Sequence, residues 1–139
     1  MEKKILMRVL DEEDVVKEKE FGRYIREKRL KRGFTLSQVA VRLEISTNYV
    51  SQIERGVREV TDDLVVGFAA LYNVELDKLF WMSGKIPVDV RKLIMKDKDL
   101  QNALSYIHKF GLSTERKERL TKEFLKLIKT EIKNNHEFI

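Results

Sequence analysis

Residues 47–54, TNYVSQIE, carry hydroxyls at Thr47 and Ser51 and carboxamides at Asn48 and Gln52. At helical spacing these four fall on one side, leaving Val50 and Ile53 to dock the same helix on a core. A carboxamide donates and accepts at once, which matches the N6 and N7 edge of adenine in the major groove, and a threonine methyl matches the methyl of thymine. Each bidentate pair of this kind is worth roughly 1–3 kcal/mol of discrimination between bases. The chemistry these residues offer is therefore hydrogen-bonded readout of nucleobases.

No other cluster competes with it. His108 and His136 are too far apart and too isolated for a metal site, and they read as ordinary surface or half-buried histidines. Asp62 and Asp63 are adjacent carboxylates, but they sit where a helix begins and suit its positive end. Cysteine is absent, which rules out disulfides, thiolate zinc sites and cysteine nucleophiles and agrees with a reducing compartment. Without a nucleophile–base pair, a metal cluster or a phosphate loop, the sequence predicts neither an enzyme nor a cofactor. Trp81 is read as a core or interface plug.

The elements that must position the reading residues are helices. Only one proline and six glycines interrupt the 139 residues, and apolar residues recur mostly at three and four, so the fold class is all-α. A first helix is expected over about 19–32, with Phe21 and Ile25 on one face and Gly33 as its stop. A second starts at Thr35, whose spacing from Gln38 is that of a capping box, and it buries Val39, Ala40 and Leu43. Glu44 and Ile45 turn the chain. Ser46 then caps the third helix, which ends at Gly56. Thr61 caps a fourth with a stripe of Leu64, Phe68, Leu71 and Tyr72, and a short fifth, 76–82, buries Leu79 and Phe80.

Ser83, Gly84 and Lys85 form the best boundary, dividing residues 19–84 from a helical region at 85–139. Pro87 suits a helix's first turn, another helix follows over 100–110 to Gly111, and Ser113 caps the last. In that helix Leu120, Phe124, Leu127, Ile128 and Ile132 make an apolar seam, which must be buried in its own domain or against another subunit. Residues 1–18 are an extension whose apolar run, 5–10, fits a short strand, a packing arm or a frayed start. The N-terminus does not have the pattern of a signal peptide and no stretch suits a membrane span, so the expected location is cytoplasmic and no membrane partner is expected. A charged fraction of 37% and a net charge of +5 suit a polyanionic partner.

FGRYIREKR, TLSQVAVRL, IS with TNYVSQIERG, and LVVGFAALYNVELDKL follow one another from Phe21 to Met82 with fixed gaps. Together they resemble the Cro/C1-type (Xre) helix-turn-helix family of phage and bacterial repressors, over a little under half of the chain. The resemblance implies a five-helix lambda-repressor-like domain followed by a C-terminal extension of two to three helices. It implies that Thr47, Asn48, Ser51 and Gln52 face the major groove, with Thr35, Tyr49 and Arg58 near phosphates. It also implies that Arg29 pairs with Glu54, tying the first helix to the end of the third. Three positions depart from the family pattern. Glu44 stands where a turn glycine is frequent, so that the turn either avoids positive φ or strains Glu44. Leu36 replaces a glutamine that touches phosphate in many relatives, and Val60 replaces a frequent proline.

The function expected from these readings is a sequence-specific transcriptional regulator, a repressor that binds double-stranded DNA at an inverted repeat as a homodimer. The alternative is an antitoxin or adaptor that uses the same fold and grips a toxin or protein antagonist through its helical tail.

Overall fold

A computed structural model describes the backbone of residues 2–136 and the side chains of Glu13 and residues 15–136. All regular structure among the described residues is α-helical. The helices are α1 (Glu2–Lys31), α2 (Leu36–Leu43), α3 (Thr47–Glu54), α4 (Asp62–Tyr72), α5 (Leu76–Met82), α6 (Val88–Lys96), α7 (Lys98–Lys109) and α8 (Thr114–His136). The chain divides into two compact units, Met1–Arg91 and Lys92–Ile139.

In the first unit, α1 to α5 close around Ile25, Val39, Val50, Ile53, Val65, Phe68, Leu79 and Phe80, all fully buried. Burying a side chain of this size contributes roughly 1.5–3 kcal/mol. Phe68 is at the centre, edge-on to Phe21 with ring centroids 6.2 Å apart and stacked on Tyr72 at 6.0 Å. Val60 also joins this core. Leu43 and Leu71, expected to be buried, are only partly so. Trp81 is not a core plug: it is exposed, with the Lys17 ammonium 4.5 Å from its ring centroid.

Short-range hydrogen bonds set the helix starts. Thr35 Oγ1 accepts from the Gln38 amide at 3.1 Å, and Gln38 Oε1 accepts from the Thr35 amide at 2.9 Å, which completes a capping box. Ser46 Oγ accepts from the Tyr49 amide at 3.0 Å and Thr61 Oγ1 from the Leu64 amide at 3.3 Å. At the end of α2, Glu44 takes the left-handed conformation, φ 57°. The turn thus keeps the geometry that glycine serves in other chains, and Glu44 bears a cost on the order of 1–2 kcal/mol. The return is a closed turn, in which the Glu44 and Ile45 amides donate to carbonyls at the end of α2.

The first helix is longer than the sequence pattern suggests. It begins at Glu2 rather than near Lys19, and residues 5–10 are helical, not a strand; the side chains of that run lie outside the described residues. The segment before Lys19 contains no glycine or proline and many Glu, Lys and Leu residues, so helix propensity continues where the amphipathic stripe gives out.

Two glycines let α1 cross the end of α3. A Cβ on Gly22 would lie 2.5 Å from the Glu54 carbonyl oxygen and against that of Ile53. Gly56, at φ 68°, would meet the Lys19 Cα at 2.6 Å. Backbone on both sides cannot yield as a side chain can. Gly22→Ala is therefore expected to destabilise the unit by about 1–3 kcal/mol, read as a lower urea midpoint; an unchanged midpoint would refute the close crossing.

In the second unit Asp97 Oδ1 caps α7 through the Leu100 amide at 3.0 Å, and Ser113 Oγ accepts from the Arg116 amide at 3.3 Å before α8. No residue of α7 or α8 is buried. The two helices instead line an open apolar cleft of about 640 Å³ that includes Leu104, Ile107, Phe110, Leu120 and Phe124.

Candidate nucleic-acid interface

The α2–turn–α3 segment holds α3 against the core by Val50 and Ile53, which are 0% and 1% exposed. The opposite side therefore faces outward. Thr47 and Asn48 are exposed, and Tyr49, Ser51 and Gln52 are half-buried. Each can reach a partner placed against the N-terminal part of α3, the part that meets base edges in a helix-turn-helix.

Arg58 lies beyond the end of α3 but folds back on it. Its guanidinium carbon is 3.8 Å from the Tyr49 ring centroid, and Nη1 donates to Gln52 Oε1 at 3.3 Å. Tyr49, Gln52 and Arg58 thus form one cluster on the rim of the exposed face. Thr35 is exposed at the start of α2, with its hydroxyl engaged in the capping box. Leu36, in contrast, packs against the core. Arg42, on α2, lies over the Phe34 ring at 4.1 Å.

At the C-terminal end of α3 the Glu54 carboxylate meets the Arg29 guanidinium in a two-point bond, Nε to Oε1 at 2.6 Å and Nη2 to Oε2 at 3.0 Å. Both residues are 9% exposed. A third Arg29 donor, Nη1, reaches the Phe34 carbonyl at 3.0 Å. The hydrogen bond to Glu54 raises the Arg29 pKa, outweighing the opposing effect of burial. Nearby, burial pushes the Tyr72 hydroxyl up to about 12, helped by the charge of Glu54. These groups clamp α3 and leave its reading face untouched.

The proposed seam residues are all on α8 and all exposed, from 38% at Ile128 to 66% at Leu127. The structure separates them into two sets. Leu120 and Phe124 line the cleft shared with α7, whereas Leu127, Ile128 and Ile132 continue along α8 beyond it. Among the described residues no group of His, Cys, Asp and Glu is arranged to hold a metal ion, and no helix is long and apolar enough to cross a membrane.

Sequence reasoning missed two features here. The fold of Arg58 onto Tyr49 and Gln52 joins a loop to a helix, so no periodicity announces it. The Gly22 crossing depends on a helix more than thirty residues away in sequence, and a glycine inside a helix gives no hint of its neighbour.

Residues 25–79 match the helix-turn-helix family model. Over 58 residues the chain is 36% identical to the HTH-type transcriptional regulator ImmR of Bacillus subtilis (strain 168), which covers 42% of this chain and 46% of that protein. The chain thus matches about half the length of this curated relative. Among solved structures, the restriction-modification controller protein C.AhdI from Aeromonas hydrophila is 28% identical with a TM-score of 0.42, covering 45% of this chain and 96% of that one. A SinR protein/SinI protein complex gives 20% identity and a TM-score of 0.40, covering 79% and 98%.

Proposed function

We infer that the helix-turn-helix domain at residues 25–79 is the DNA-reading part of a transcriptional regulator, and that the chain is a repressor acting as a homodimer on an inverted-repeat operator. The observation that carries this reading is the two-sidedness of α3. Val50 and Ile53 fix it to the core, and Thr47, Asn48, Ser51 and Gln52 look outward as a compact set of donors and acceptors. On this reading Thr35, Tyr49 and Arg58 contact phosphates, and the net charge of +5 adds salt-sensitive affinity.

Residues 19–84 then form the DNA-binding domain and 85–139 the pairing region, with 1–18 an extension of the first helix. Pairing is supported by the uncovered apolar surface of α7 and α8, where Phe110 is 74% exposed beside the cleft. A second copy that covers this surface brings two recognition helices about 34 Å apart, one turn of DNA. Repression follows when the bound dimer blocks polymerase in the cytoplasm.

Selection of bound sequences from random DNA at two salt concentrations tests the proposal: enrichment of an inverted repeat is expected, and enrichment of nothing overturns it. Gln52→Ala is expected to relax the preference at one base position per half-site, by about five-fold or more, with an unchanged melting temperature. An unaltered binding profile removes Gln52 from the reading set. The same uncovered α7–α8 surface favours a second reading, an antitoxin or adaptor that grips another protein; a chain that stays monomeric at assay concentrations and co-purifies with a toxin would select it.

A further inference from the structure

Gln52 is the most versatile reader on α3, because a carboxamide can present a donor, an acceptor or both. Reading adenine requires both: Nε2 donates to N7 while Oε1 accepts from N6. In this protein Oε1 is already taken by Arg58 Nη1 at 3.3 Å. A guanidinium has donors only, so the amide atom it holds must be the oxygen. The bond is charge-assisted, which makes it stronger than the contact an adenine amino group offers in exchange. Arg58 is itself held in place by the Tyr49 ring, 3.8 Å from its guanidinium carbon. What Gln52 has left for a base is the pair of hydrogens on Nε2.

Resting on the DNA-reading function above, we propose that Arg58 is a specificity-determining positioning residue, which locks Gln52 as a donor-only reader that selects an acceptor edge over adenine. The acceptor edges in the major groove are guanine N7 with O6 and thymine O4. Adenine offers Nε2 a single acceptor, N7, beside an amino group that finds no partner. The phosphate role that family likeness suggests for Arg58 uses its other donors and survives alongside.

The test is selection from random DNA with the full chain as wild type, Gln52→Ala and Arg58→Met. In the wild type, one position per half-site is expected to be guanine or thymine, and Gln52→Ala is expected to abolish that preference. Arg58→Met frees Oε1 and is expected to convert the same position to adenine, by about five-fold or more, leaving the other positions as they were. Arg58 is exposed, so the variant is expected to melt with the wild type. Adenine in the wild type at the Gln52-dependent position overturns the proposal. So does the lack of any Gln52-dependent position, or an Arg58→Met variant that weakens all sequences alike, lowers the salt slope by about 1 and leaves the base unchanged. A wild type that enriches no sequence rejects the DNA-reading function itself, and this inference falls with it.

Discussion

Replacing Glu54 with alanine is expected to cost the N-terminal unit about 3–5 kcal/mol, because it strands the Arg29 guanidinium inside the protein. Arg29 is 9% exposed and gives Glu54 two of its hydrogen bonds; after the substitution only the Phe34 carbonyl remains to it. The loss is one of desolvation left uncompensated, so its size depends on the charge that stays behind. Removing both charges, in Arg29→Met with Glu54→Leu, is therefore expected to cost much less than Glu54→Ala alone. Thermal or urea denaturation of the full chain reads both, and a loss of this size lowers the melting temperature by more than about 10 °C. If Glu54→Ala melts with the wild type, or the double variant is the worse of the two, the pair does not hold α3 in the way its geometry suggests.

The second large effect is expected on DNA. Phe124 and Leu127 are 55% and 66% exposed on α8, so glutamate at both positions leaves the fold of a single chain intact and removes an apolar surface from the proposed pairing face. Two linked half-site contacts then become independent. Avidity of this kind is worth roughly 10²–10⁴ in affinity, and operator binding is expected to fall by that factor while weak, salt-sensitive binding to random DNA persists. Sedimentation is expected to report a monomer in place of a dimer. A doubly substituted chain that still sediments as a dimer and binds its operator normally would show that these residues do not pair protomers.

Legibility in the sequence follows the range of the interactions. The caps at Thr35, Ser46 and Thr61 are readable because donor and acceptor are three residues apart, and α5 because its apolar residues and flanking turns are contiguous. The start of α1 is not readable, since a Glu- and Lys-rich segment sustains a helix without an apolar stripe to mark it. At Glu44 the sequence allows two backbone states, and only the closed turn, which needs the end of α2 in place, decides for φ 57°. The outward set on α3 follows from helical spacing. The hold of Arg58 on Gln52 does not, because it depends on how a loop returns to the helix it has left. Nor does spacing couple Arg29 with Glu54, for which family likeness is the only route from the sequence.

Helix α3 is fastened at both ends, by the Ser46 cap at its start and by Arg29, Gly22 and Gly56 around its finish. A probe so anchored surrenders little conformational entropy on docking. The same stiffness denies it the freedom to rock or slide to suit an imperfect site, so tolerance of mismatches must come from bending of the duplex.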